Sequence, residues 1–283
     1  MSAHLDATAG RAGWIGFLSD YGLSDGYVGV CHGVIATLAP AVRVIDVCHE
    51  IPPGDLRRGA ALLAQSAPFL PSGVLLAVVD PTVGTKRRGL VVQAGRFHLV
   101  GPDNGLLLPA ARALGGVSAA YEITATEVMR QPVSATFHGR DVFAPVAAQL
   151  ATGMPAGRVG AAVPVDDLVQ LAEPVARLTA HRLEGEVLTV DHFGNVQTSL
   201  PAALLRDGGL CAGGQLRLHG RMGEVRLPFS RTFADVPGGE PVGYIDSAGL
   251  FALALNGQSA AAKYDLGPGD PVALRLGEGP NGS

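Results

Sequence analysis

A chain of 283 residues, 47% hydrophobic and 16% charged with 39 glycines, is long enough for one large domain or two modest ones, each burying a real core. Its net charge of −4 gives no electrostatic reason to expect nucleic acid or an anionic membrane as partner, so the expected ligand is a small molecule. Cys31, Cys48 and Cys211 are too few and too scattered for a disulfide framework or a cysteine-based zinc site, which points to buried thiols in a reducing, cytoplasmic setting. No apolar run reaches the roughly 18 residues of a membrane span, and the opening MSAHLDATAGRAG lacks a signal-peptide core, so a short disordered lead-in is expected.

Trp14 to Leu18 reads as a short strand, followed by a Gly-rich turn that holds Asp20 and Asp25. Tyr27 to Leu38 looks helical until Pro40, and residues 42–47 form a second strand ended by His49. After the Pro52, Pro53 and Gly54 turn, Asp55 can cap a helix whose Leu56, Leu62, Leu63 and Phe69 share one face. Val74 to Val79 is then a buried strand that delivers Asp80 into a turn ending in Lys86, Arg87 and Arg88. Strand and helix alternating at this spacing predict βαβ units and a mostly parallel sheet, with ligands collecting at the carboxyl ends of its strands.

Two further strands, Gly89 to Val92 and Phe97 to Val100, lead to a turn at Asp103, Asn104 and Gly105 and then a helix. A strand around Tyr121 and Ile123 precedes His138, which stands just before an apolar helix containing Val142, Phe143, Val146 and Leu150. From Met154 to Arg182 the pattern loses its period and reads as an extended linker. Beyond it, short alternating runs between Gly and Pro turns predict a small antiparallel barrel or sandwich. The expected organisation is an α/β N-terminal domain over residues 13–160, a linker over 161–183 and an all-β C-terminal domain over 184–277.

Four polar clusters stand out: Asp20 with Asp25, the loop from Asp80 to Arg87, residues 137–141 (FHGRD) and residues 191–195 (DHFGN). The eight histidines include no pair at a metal-ligand spacing such as His-x-x-x-His, and there is no Walker loop. Gly22 to Gly26 spells the Gly-x-Ser-x-Gly of a hydrolase elbow, but Ser24 lies well past its strand instead of tight on its end. An acid, a guanidinium and an imidazole able to converge on a water remain.

Taken in order, FLSDYGLSDGYVGVCHGVI, DVCHEIPPGD, VVDPTVGTKRRG, GPDNGLL, TFHGRDVFAP, DHFGNVQT and YIDSAG resemble the motifs of the S-adenosylmethionine hydroxide adenosyltransferases, relatives of the fluorinase and chlorinase. The resemblance runs from about Trp14 to Leu276. It implies an N-terminal α/β domain, a C-terminal β-barrel and a homotrimer whose sites lie between subunits. It also implies a substrate, S-adenosyl-L-methionine, that water cleaves at the ribose 5′ carbon into adenosine and L-methionine, with no metal and no other cofactor.

Residue by residue, the resemblance makes Asp80, Arg87 and His138 the trio that handles the water. It makes Asp20 the acceptor of the ribose hydroxyls, and Asp25, Asp191 and Ser247 the holders of the methionine end. Phe193 and Phe233 become walls of the adenine slot, with Asn195 reading its edge. Two positions depart from the fluorinase: Ala248 replaces an Arg after the serine, and Gly54 replaces a Trp over the ribose. A carboxylate beside a halide would repel it by several kcal/mol at low dielectric, so Asp80 favours water as nucleophile. Gly139 matches the chlorinase at that one position, which keeps a chloride-using halogenase as an alternative, alongside a noncatalytic nucleoside binder.

Overall fold

The computed structural model describes residues 13–179, 182–210 and 213–276. Cys211 and the expected lead-in through Ala12 lie outside them. The chain divides between Leu171 and Ala172 into two compact units.

In the first unit six strands form one mixed sheet: β1 (Trp14–Ser19), β2 (Arg43–Cys48), β3 (Val74–Val78), β4 (Gly89–Ala94), β5 (Phe97–Pro102) and β6 (Val117–Glu122). Their spatial order is β2-β1-β3-β5-β4-β6. β2, β1, β3 and β5 run parallel, while β4 pairs antiparallel with both β5 and β6. β3 is apolar throughout because both its faces are covered. Val74, Leu76 and Val78 enter one core with Phe17, Ile35 and Val146, whereas Leu75 and Ala77 enter the other with Leu63, Leu99 and Leu107.

Helices α1 (Tyr27–Leu38) and α4 (Ala144–Ala151) cover the first face; α2 (Leu56–Ser66) and α3 (Leu108–Ala113) cover the second. The chain leaves β1 for β2 on one side and returns to β3 on the other. The ends of β1 and β3 therefore flank a topological switch point, where the outgoing loops diverge.

Asp55 caps α2 as expected, its side chain accepting from Arg58 N at 3.0 Å. Phe69 departs from expectation. α2 ends at Ser66 and a 3₁₀ turn over Ala67–Phe69 rotates the ring out of the apolar stripe, leaving it 84% exposed. Cys31 is buried, but Cys48 is only half-buried at the end of β2. The first part of the stretch read as an extended linker is anchored, while residues 172–179 are exposed. Short 3₁₀ turns at Ala156–Val159 and Val165–Asp167 bury Ala156, Val159, Val163 and Leu168 against the first unit.

The second unit is antiparallel: β7 (Ala176–Leu178), β8 (Arg182–Val190), β9 (Val196–Pro201), β10 (Gln215–Gly220), β11 (Gly223–Pro228), β12 (Pro241–Ile245), β13 (Leu250–Leu255) and β14 (Pro271–Leu276). The order is β11-β10-β14-β8-β9-β13-β12, with β7 added along β8. A bridge between Phe229 and Gly243, with Ser230 N donating to Gly243 O at 2.9 Å, brings the two outer edges together into a nearly closed barrel. Leu183, Val187, Leu218, Phe251 and Leu274 fill it. The short helices α5 (Ala202–Asp207) and α6 (Ala260–Tyr264) lie in its connections.

Candidate active site

Asp80 follows β3 at the switch point, and its loop folds back through turns in which Val83 N donates to Asp80 O and Thr85 N to Thr82 O. This return brings Arg87 over Asp80. Arg87 Nε lies 3.0 Å from both carboxylate oxygens, and Nη2 makes a further short contact with Oδ2. The two side chains are only 9% and 6% exposed, so each charge depends on the other for its solvation. Beneath the guanidinium the Phe143 ring centroid lies 5.1 Å from Arg87 Cζ.

His138 arrives from a different part of the chain. It precedes a π-helical turn, Gly139–Phe143, which runs on into α4, so the helix expected here begins with a wider turn. Arg87 Nη2 donates to His138 Nδ1 across 2.7 Å. Because a guanidinium only donates, Nδ1 must be the bare nitrogen and the ring proton sits on Nε2. Burial, then the positive charge of Arg87, lowers the His138 pKa below its usual value and keeps the ring neutral.

At the end of the neighbouring strand, Asp20 N donates to Val78 O and ties the end of β1 to β3. Asp20 Oδ2 accepts from Gly54 N at 2.9 Å. Gly54 adopts φ +74°, a conformation that favours glycine, and this aims its N–H at the carboxylate. Half-burial raises the Asp20 pKa, with the Gly54 bond acting against it and the nearby Asp80 charge adding to it. Asp25 lies exposed in the turn before α1, as does Ser24, for which no imidazole partner is present among the described residues.

Sequence reasoning missed Tyr21. Its ring packs edge-on against Phe137 at 5.8 Å, and Tyr27 packs against the same Phe137 at 5.1 Å. Tyr21 also fills the space beside Gly139, where an added Cβ would stand 2.0 Å from the phenol oxygen. Burial pushes the Tyr21 pKa upward and keeps the phenol protonated.

The remaining candidates belong to the second unit. Asp191 Oδ1 accepts from Phe193 N and Asn195 N, both at 2.9 Å, and Oδ2 accepts from Asn195 Nδ2 at 2.8 Å. Most of the Asp191 carboxylate and the amide nitrogen of Asn195 are thus engaged in holding their own loop. Gly194, at φ +82°, presses on α6, where a Cβ would meet Ser259 Oγ at 2.1 Å. This loop presents Phe193 at 76% exposure, and a capped 3₁₀ turn, Phe233–Asp235, presents Phe233 at 51%. Ser247 is exposed on a turn whose Asp246 Oδ1 accepts from Ala248 N and Leu250 N.

Both units have matches among known proteins. Residues 15–160 match the SAM hydroxide adenosyltransferase N-terminal domain, and residues 185–273 match its C-terminal domain. The chain is 52% identical over 264 residues to the (R)-S-adenosyl-L-methionine hydrolase of Salinispora arenicola, covering 93% of this chain and 98% of that one. It is 32% identical over 302 residues to the fluorinase of Nocardia brasiliensis, covering 96% and 100%. The crystal structure of an uncharacterized conserved protein from Thermotoga maritima superposes with a TM-score of 0.87 at 36% identity, over 92% of this chain and 99% of that one. The chain belongs to the SAM hydroxide adenosyltransferase family.

Proposed function

We propose that the chain hydrolyses S-adenosyl-L-methionine to adenosine and L-methionine, with Asp80, Arg87 and His138 ordering the attacking water. The observation that carries this reading is the Arg87 guanidinium bridging a carboxylate and an imidazole nitrogen at the switch point. The greater identity to a hydrolase than to a fluorinase agrees with it.

The sulfonium is already a good leaving group, because departure neutralises its charge and needs no general acid. What the protein must supply is an oriented nucleophile in line with the C5′–S bond. Water oxygen forms the new bond to C5′, the C5′–S electron pair leaves as the thioether of methionine, and one water proton must be taken up. His138 cannot take it through Nε2, which already carries the ring proton, so Asp80 accepts it while Nε2–H steadies the water oxygen. Arg87 holds the Asp80 carboxylate in place through its Nε and Nη2 contacts.

In this reading Asp20 binds the ribose hydroxyls, and Asp25, Asp191 and Ser247 serve the methionine end. Phe193 and Phe233 flank adenine, and Asn195 presents its carbonyl oxygen to the base edge, its amide nitrogen being held by Asp191. The exposure of both phenylalanines supports a homotrimer in which sites form between subunits. No described helix is long and apolar enough to cross a membrane, and the net charge is modestly negative. Both fit a cytoplasmic enzyme of small molecules with neither nucleic acid nor membrane as partner. Metal and other cofactors have no part in the proposed step.

The test is turnover of S-adenosyl-L-methionine in oxygen-18 water with chloride present, followed by mass measurement of the nucleoside. Adenosine labelled at the 5′ oxygen is expected. Unlabelled adenosine, 5′-chloroadenosine, or no product at all would overturn the reading.

A further inference from the structure

A second polar cluster, which the proposed reaction does not use, gathers where α1 crosses the end of β2. The β1–β2 register slips here: Phe17 faces Asp46 but Leu18 faces Cys48, so Val47 is an extra residue in the ladder. Such a bulge re-aims the side chains around it. Asp46 and His49 meet, with His49 Nε2 3.0 Å from Asp46 Oδ1. His32, from α1, places its own Nε2 2.8 Å from the same oxygen.

Three ligand-capable atoms from separate parts of the chain thus lie within 4.8 Å of one another. Donors held about 2.0–2.2 Å from a common ion lie roughly 3.0–3.5 Å apart. The two histidine–carboxylate contacts are already near that spacing, so sharing an ion asks only that the two imidazole nitrogens, within 4.8 Å of each other, close by at most about 1 Å.

The surroundings fit an ion better than a chance contact. His49 is buried, and its far nitrogen, Nδ1, is fixed by Ser19 Oγ at 2.7 Å, the kind of outer hydrogen bond that orients metal-bound histidines. The buried Phe17 ring forms an apolar floor, its centroid 4.6 Å from the His49 ring and 6.0 Å from that of His32. Asp46 is 47% and His32 35% exposed, which leaves an open side for entry and for water ligands. Two imidazoles and one carboxylate are a borderline donor set, suited to zinc, nickel and copper and poorly suited to magnesium or calcium.

We propose that His32, Asp46 and His49 form a site for a divalent transition cation that braces the turn carrying Asp20. The brace runs through Ser19. With the ion on Nε2, the His49 ring proton moves to Nδ1 and donates to Ser19 Oγ, which accepts from Tyr21 N at 3.3 Å on the far side of Asp20. A cation there would lock α1, the end of β2 and the Asp20 turn together.

The experiment uses tag-free full-length protein stripped with chelator and titrated calorimetrically with zinc chloride, nickel chloride and magnesium chloride. One saturable zinc or nickel site per chain is expected, with magnesium silent and with a raised melting temperature when the ion is bound. His32→Ala, at a partly exposed helix position, should abolish that site and the thermal shift. Ser19→Ala should weaken binding by about 10–100-fold. No saturable heat in the wild type, or equal binding by wild type and His32→Ala, would overturn the proposal and leave a metal-free imidazole–carboxylate network.

Discussion

In the N-terminal unit Asp80 and Arg87 are nearly buried and joined by several contacts, and the guanidinium also fixes one nitrogen of His138. In the C-terminal unit Phe193 and Phe233 stand in solvent, and the polar groups around them hold only their own loops. The contrast follows from what each group costs when it waits for a ligand. A buried charge without a partner is expensive, so the reactive groups must satisfy one another inside their own unit. An exposed aromatic ring can wait in water at little cost and gains stabilisation only when a flat ligand covers it. On the proposed reading, the chemistry is preorganised in one unit, while the aromatic part of recognition is left open in the other.

The sharpest break in this comparison is Asp80→Asn, which keeps the volume and removes the proton acceptor. Turnover should fall by roughly 10²–10⁴-fold while KM moves little, measured as adenosine release by chromatography. Wild-type turnover would show that the preorganised trio is not the reactive group. The same trio sets the acid limb of the pH profile. His138 is held neutral below its usual value of 6.5, so turnover should stay level from neutral pH down past 6.5 and drop only below it. Protonation there removes the Nδ1 acceptor and sets a second cation against Arg87. An acid limb centred above 6.5 would contradict the assignment.

Gly139→Ser asks how tightly the N-terminal unit is preorganised. The new Cβ would stand 2.0 Å from the Tyr21 phenol oxygen, so the ring or the π-helical turn must shift. Overpacking of this kind typically costs about 1–3 kcal/mol. Thermal unfolding should show a melting temperature lower by several degrees, with no chlorinated product gained. Adding Tyr21→Phe should restore part of the loss by removing the nearest atom; no recovery would place the strain elsewhere.

The sequence made some of this plain and hid the rest for physical reasons. The Asp80 loop was legible because the strand before it is wholly apolar and Arg87 follows on the same short turn. His138 was visible as a histidine ahead of a helix, but its pairing with Arg87 was not, since that contact is made across the fold; family resemblance supplied the pairing. The irregular spacing between residues 154 and 182 read as a linker because 3₁₀ turns bury single residues without any period. Phe69 misled for the opposite reason, keeping a helical spacing after the α-helix had ended. A search for paired histidines along the chain could not find His32, Asp46 and His49, which come from two elements and a bulge.

On the open side of the comparison, Phe233→Ala should act on binding alone. Stacking of a base on an aromatic ring is worth about 1–3 kcal/mol, so KM should rise by roughly 5- to 150-fold with kcat nearly unchanged. Initial-rate kinetics decide this. A collapse of kcat at constant KM would mean that the C-terminal unit takes part in the chemistry.

The smallest effect, and the most discriminating, is expected at Asp191, which either only shapes its loop or also meets the ligand. Asp191→Ala loses three accepted hydrogen bonds on an exposed loop where water replaces them, so the cost should be near 1 kcal/mol, or about 2–4 °C in melting temperature. Asp191→Asn separates the two roles. Its amide oxygen still accepts from Phe193 N and Asn195 N, and the Asn195 amide can turn to present its oxygen to the new NH₂. The loop and the melting temperature should therefore persist while the negative charge is gone. A raised KM in the Asn variant shows that the ligand meets the Asp191 charge or the Asn195 amide that Asp191 orients; a wild-type KM confines Asp191 to holding up Phe193.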